Sequence, residues 1–409
     1  MNIRFTKSML ALAGSAMLFA ACSKDDENTD NADPNAALKQ SVVSNYADIV
    51  FASYEDAHAK AVILKNKLDA FVDAPSQTAF DEAKQAWLDA REPYGQTEVY
   101  RFYSGPIDDN DGPEGALNAW PLDEAHVDYV QAGTGNDDNP GNEANIINNT
   151  TDYPTIDEAT LIGLNENGGE KNISIGYHAI EFLLWGQDFN AGAPGDRPYT
   201  DYVTDGSGTA TNQDRRGDYL KVTAKILVDD LATMVEAWKE GSSNYRGTFT
   251  SQAANVSIKN MLTGMGVLSK SELAGERIYV ALDNQDQEDE HSCFSDNTHR
   301  DIILNAQGIE NVYTGTYIRT DGTVVSGASI YELLKEVDAT LAEELNTMVA
   351  TSVSDAESIP VPFDQALTQE TVGGNGPIMT TVHSLQDQGD KIAEAAAALG
   401  ISISTDLPD

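Results

Sequence analysis

Residues 176–186 read Gly176-Tyr177-His178-Ala179-Ile180-Glu181-Phe182-Leu183-Leu184-Trp185-Gly186, and the fold is decided by how this stretch is read. At 100° per residue, His178, Glu181 and Trp185 share one side of a helix, while Ala179, Ile180, Leu183 and Leu184 cover the rest. A helix that is apolar nearly all round belongs in a protein interior, where unpaired polar groups cost several kcal/mol. Two answers are open for the imidazole and the carboxylate. They could hydrogen-bond to each other or to core neighbours. Alternatively, they are two metal ligands offered from adjacent turns, since side chains at i and i+3 converge off the helix surface.

On either side of this stretch the apolar spacing is helical. From Leu38 to Leu68, Val42, Tyr46, Ile49, Val50, Ala57, Ala61 and Leu64 recur at steps of three or four. Ser76 is a good N-cap for a second helix along Phe80, Ala83, Trp87, Ala90 and Tyr94, which Pro93 should kink or end, leaving Glu98 and Arg101 beyond the break. Residues 104–170 and 192–217 are irregular and rich in Gly, Asn and Asp, and the first span is expected to order against the body at Ile107, Trp120 and Tyr129. Helices follow from Asp218 to Trp238, from Ala253 towards Glu290, from Ile330 to Val349 and from Ile378 to Leu399, with a short hairpin over Asn311–Val325 turning at Asp321-Gly322. The class is all-α.

The amino terminus is of another kind. Residues 1–22 carry Arg4 and Lys7, an apolar run from Met9 to Ala21, and then Cys22, which reads as a secretory signal and not a membrane span. The Leu18-Phe19-Ala20-Ala21-Cys22 ending resembles a bacterial lipobox, which implies lipidation at Cys22. Residues 23–36 are a polar, aperiodic tether. With 66 acidic against 25 basic residues and a formal charge of -41, the surface repels nucleic acid and anionic lipid and attracts cations. Two cysteines make no disulfide framework, and Cys293 is expected to stay a thiol.

Two residues do not make a metal site, which takes three or four ligands. The best further suppliers are Glu98 and the run Asp289-Glu290-His291, with Arg101, Trp185 and Ser295 as candidates for ligand contact. Read as a helix end, the carboxylates of 286–290 sit poorly near a C-terminal dipole, which calls for a cation or for Arg101, Arg277 or Arg300. Glu288-x-x-His291 is one half of a di-iron pattern whose other half is missing. Hydrolysis is short of parts as well, because the chain has neither a His-Glu-x-x-His helix nor a Gly-x-Ser-x-Gly elbow. Gly176–Leu184 also aligns with Gly327–Lys335, setting Glu181 over Glu332 and His178 over Ser329. Each copy follows two long helices, which reads as a duplicated unit.

The segments "REPYGQTEVYRF", "NAWPLD", "GYHAIEFLLWGQDFN", "PGDRPYTDY" and "ELAGERIYVALDNQDQEDEHSCFSDNTHRDI" resemble the imelysin-like family, in its iron-regulated protein A branch. The resemblance runs from about Leu38 to the last helix, and its Gly-x-His-x-x-Glu motif falls on Gly176, His178 and Glu181. It implies two pseudo-symmetric helical bundles, over 37–217 and 218–409, an envelope location and an association with iron uptake. The expectation is a lipid-anchored envelope protein, at the outer membrane, binding a metal ion or an iron-bearing ligand in the inter-bundle cleft, with iron favoured and zinc possible. The alternatives are a zinc metallopeptidase using His178 and Glu181, and a non-catalytic surface protein that binds envelope partners.

Overall fold

The computed structural model describes residues 33–131, 144–190 and 192–408. The secretory signal, Cys22 and most of the tether lie outside them. Helix α1, Ala36–Asp73, runs through the body and buries Val42, Tyr46, Val50, Ala57, Ala61, Leu64 and Leu68, the stripe its spacing predicts. It packs on α2, Gln77–Gly95, on α4, Gln213–Trp238, and on α5, Ala254–Val267. The short helix α3, Gly176–Trp185, is buried at every residue and lies against α2 and α4. The remaining long helices, α6 (Thr298–Thr314), α7 (Ala339–Ser358) and α8 (Pro377–Ala398), pack in sequence on one another, α6 on α7 and α7 on α8. Strand β1, Thr316–Ile318, pairs antiparallel with β2, Val324–Ser326, around Gly322. The fold is all-α with this one hairpin among the described residues.

Four boundaries differ from the sequence reading, each for a local reason. Pro93 sits inside the last turn of α2 without ending it, because a proline so close to the terminus removes a single hydrogen bond; Glu98 and Arg101 still lie beyond, in and after a 3₁₀ turn at Glu98–Tyr100. The helix expected to reach Glu290 stops at Asn284, where Gln285 turns left-handed with φ 54°. The 286–290 run is therefore a 3₁₀ turn and loop and not a helix end, so the dipole argument made for its carboxylates does not apply. Between Val267 and Val280 the same rod is π-helical over Leu268–Tyr279, a widened stretch of the kind that recurs at functional sites.

Helix α6 went unassigned in the sequence, and its first residues belonged to no expected element; its last ones, from Asn311, had been given to the hairpin. The expected helix from Ile330 to Val349 is two, Ile330–Lys335 and α7, divided where Asp338 accepts the Thr340 and Leu341 amides as a new N-cap. In the second copy of the apparent repeat, Ser329 and Glu332 form a reciprocal capping box at the start of the first of these helices. Their polar groups are spent on the backbone.

Candidate metal centre

The glycine of the motif is fixed by geometry. Gly176 has φ +90°, and a Cβ there would come within 2.7 Å of the Leu117 carbonyl and 2.8 Å of the Ala116 carbonyl. Only glycine lets α3 start so close to the chain at 114–117. Beyond it, Trp87 Nε1 donates to the Tyr177 carbonyl at 2.9 Å and holds the first turn against α2.

From that start His178 and Glu181 project as the i, i+3 pair that the spacing predicts. His178 Nδ1 lies 2.9 Å from Glu181 Oε2. Glu181 Oε1 accepts two more hydrogen bonds, from the Ser295 amide at 3.0 Å and the Ser295 hydroxyl at 2.7 Å. Burial pushes the Glu181 carboxyl up to about 8 against the pull of those Ser295 donors. Burial, with His291 and Arg91 nearby, holds the His178 imidazole well below its ordinary value. It is neutral at pH 7, and its Nε2 is buried without a hydrogen-bond partner.

A second imidazole repeats the arrangement. The rings of His291 and His178 meet edge to face with centroids 4.7 Å apart, and Trp120 covers His178 at 5.0 Å. His291 Nδ1 lies 2.9 Å from Asp301 Oδ2, to which the Ser292 hydroxyl also donates at 2.5 Å. Burial, joined by Arg277, lowers His291 to about 4. Its Nε2 has only a 3.4 Å contact with the Asn118 amide nitrogen. Each Nδ1 thus lies against a carboxyl oxygen, and in the tautomer with the proton on Nδ1 the Nε2 lone pair is left free. This is the orientation in which ligating histidines are held by an outer carboxylate.

Around this pair Asp301, Glu98 and Glu272 each have a guanidinium. Arg91, itself buried against Trp87, Tyr94 and Tyr177, reaches Asp301 at 3.0 Å and gives Nη1 to Asn118 at 2.6 Å. Burial raises the Asp301 carboxyl, but Arg91 and His291 outweigh it and hold it far below the carboxylate range. Arg277, on the π-helical stretch, donates to Glu98 at 2.6 Å and to Glu272 at 2.9 Å, and Arg101 donates to Glu98 at 2.9 Å. Burial opposes these pairs, yet they bring Glu98 down to about 2. A cavity of about 360 Å³ opens beside them, lined by Arg101, Trp120, Lys171, Glu272, Arg277, Asp289 and His291 among others.

The structure sorts the candidate residues. His178, Glu181, His291 and Ser295 come together, and Arg101 lines the adjoining cavity. Glu98 joins the network, with Oε2 taken by Arg277 and Arg101 and Oε1 3.4 Å from Asn118 Nδ2, so it serves to neutralise arginine. Asp289 accepts from Asn284 at 2.7 Å and stands on the cavity wall. Glu290 is buried elsewhere, among aspartates. Trp185 packs on Trp87 at 5.3 Å and lines a different hollow beside Arg197. Of the arginines offered to the 286–290 run, Arg101 and Arg277 pair as above and Arg300 pairs with Glu92.

Arg91, Asn118 and Asp301 escaped the sequence reading. Arg91 sits one turn from Trp87 and from Tyr94 on the buried line of α2, where the apolar residues drew the reading, and Asp301 lies on the unassigned α6. One signal was available: Arg91 opens the "REPYGQTEVYRF" segment and Asp301 falls in the last of the quoted segments, "…DNTHRDI".

Comparison with known proteins agrees in scale. The sequence pattern of the imelysin family (peptidase M75) matches residues 50–392. Iron-regulated protein A of Synechococcus elongatus is 27% identical over 375 residues, covering 89% of this chain and 86% of that protein. Among solved structures, one described as an iron-regulated protein A precursor from Parabacteroides distasonis superposes with a TM-score of 0.68 at 18% identity, covering 90% of this chain and 97% of its own. An imelysin-like protein from Psychrobacter arcticum gives 0.63 at 13% identity, covering 91% and 98%. At such identities the two structures speak for the fold alone.

Proposed function

This chain belongs to the imelysin family, and from that premise we propose that it is a cell-envelope protein that captures a metal ion, iron before zinc, or a small iron-bearing ligand, through His178 and His291. The observation that carries the reading is the pair of neutral, buried imidazoles, each with Nδ1 against a carboxyl group, the Nε2 of His178 without a partner and that of His291 in no more than a 3.4 Å contact with Asn118. Nitrogen ligands of this kind suit iron and zinc alike, and the iron preference rests on the name of the Synechococcus relative. Bound there, the ion would supply positive charge and open coordination positions towards the cavity.

The protein's own part is to prepare the site. Glu181 and Asp301 fix the rings. Ser295 and Ser292 fix the carboxylates, and Arg91 keeps Asp301 ionised. The cavity carries Arg101, Arg277 and Lys171 among five acids, Glu114, Glu166, Glu272, Glu276 and Asp289, a lining that suits a cation or a ligand carrying one more than a purely anionic ligand. Hydrolysis fits less well, because both Glu181 oxygens already accept hydrogen bonds and neither stands free as a general base. A lipid anchor at Cys22 would tether the site to the outer membrane, where envelope partners could receive the cargo; among the described residues no helix is long and apolar enough to cross a membrane. Calorimetric titration with Fe(II), Fe(III) and Zn(II) tests the proposal. Saturable binding lost in both His178→Ala and His291→Ala is expected, and binding unchanged in both variants would refute it.

A further inference from the structure

On the far side of the 286–297 segment lies a second group of acids that the imidazole site does not use. Asp188, just past the end of α3, Asp296, before α6, and Asp364, in the short helix Phe363–Leu367, each offer a carboxylate oxygen, and these oxygens lie within 4.8 Å of one another. Glu290 is 1% exposed, and the charges it feels most are Asp364, Asp296 and Asp188. Among the described residues none of the four has a lysine or arginine within ion-pair distance, in contrast to Asp301, Glu98 and Glu272 around His291.

Two buried oxygens here have no partner at all: Oε1 of Glu290 and Oδ2 of Asp364, a residue only 4% exposed. Leaving one such oxygen unmatched is costly, and leaving two among neighbouring carboxyls is a defect unless something positive sits between them. The backbone also bends to assemble the group, since Asp296 is left-handed at φ 56°. Burial and mutual repulsion push Asp188 up to about 6 and Asp296 up to about 7.

We propose that Asp188, Asp296, Asp364 and Glu290 form a calcium site that is separate from the imidazole pair. An all-carboxylate oxygen set selects a hard cation over iron or zinc. The oxygens of three of them lie within 4.8 Å of one another, close enough for one ion to meet them all, and a set of acids gathered from separate segments suits calcium, which accepts irregular oxygen shells, better than magnesium, which demands a near-ideal octahedron and keeps its waters. Calcium here ties the end of α3 and the 363–367 helix to both ends of the segment that carries His291 and Ser295. It is a positioning ion for the neighbouring site and not a cargo.

The test is thermal unfolding and calorimetry of the chelator-treated full chain with CaCl₂, and in parallel with MgCl₂. Calcium should bind with one-to-one stoichiometry and raise Tm by about 5 °C or more at millimolar concentration, with magnesium much weaker. Asp364→Asn and, independently, Asp296→Asn should abolish that response while raising the Tm of the calcium-free protein, because each removes a repelling charge. His178→Ala should keep the full calcium response, so the proposal stands or falls apart from the imidazole site. No heat and no Tm shift with up to 10 mM calcium, or an undiminished response in both aspartate variants, would overturn it.

Discussion

Two buried polar groups flank the same helix, α3, and they are finished to different degrees. In the first, Asp128 accepts from Arg197 at 2.7 Å and from Arg216 at 2.7 and 2.9 Å, with Asn148 adding a contact at 3.2 Å, and the Arg216 Nη1 donates to the Asp201 and Thr211 carbonyls. Both carboxylate oxygens of Asp128 are used, and Tyr129 lies under the two guanidiniums. In the second, the carboxylates are equally well held, but the two imidazoles they orient keep Nε2 in reserve. Apart from Arg197 Nε this first network is closed, and it stabilises and positions. A network whose loosely held atoms include the outer nitrogens of two adjacent imidazoles, the type a metal ion takes, is prepared for something else.

Substitutions should separate the two kinds of group, and the largest effect belongs to the closed one. Asp128→Ala strands two buried guanidiniums and should cost about 3–5 kcal/mol of stability, measured by urea unfolding, with metal affinity unchanged in the molecules that remain folded. His178→Ala should do the reverse. Affinity for iron or zinc should fall by at least about 100-fold, or 2.7 kcal/mol, which exceeds the effect of losing an outer carboxylate. Glu181→Gln keeps the shape but loosens the ring orientation, and titration should show a loss of about 10- to 100-fold. Ser295→Ala removes one donor to a buried carboxyl, for about 1 kcal/mol of stability and a smaller loss of affinity.

Acid should distinguish them as well. Burial raises Asp128, but Arg197 and Arg216 outweigh it and leave its folded value below the unfolded one of about 3.9. Its contribution is therefore complete above that unfolded value and is lost as pH falls through the lower folded one. Stability curves of wild type and Asp128→Asn should be separated at pH 6 and should converge as pH drops below about 4. A gap that does not narrow at all between pH 4 and pH 2 would remove the ionic account of that cluster.

What the sequence disclosed follows the physics of each feature. The run at 176–186 announced an interior helix because apolar residues on every side leave no solvated face, and the i, i+3 pair followed from helical pitch. The long helices were legible from their apolar stripes. The polar surround was not, because Arg91 and Asn118 meet Asp301 and His291 from distant parts of the chain, and no local spacing encodes that meeting. The acids of 286–290 were legible as a cluster, but their fates diverged. A left-handed Gln285 ends the helix early, and Asp289, Glu290 and His291 then face three different surroundings. Glu98 reads as a ligand in one dimension and proves to be the counter-ion of Arg277 and Arg101 in three.

The most direct measurement is anomalous diffraction from crystals of the full chain soaked with Fe(II) or Zn(II), with data collected on both sides of the metal edge. A metal peak within about 2.0–2.2 Å of Nε2 of both His178 and His291, with the Glu181 and Asp301 bonds to Nδ1 intact, is the result expected. Full occupancy at some other position, with the two rings still edge to face and unligated, would contradict it.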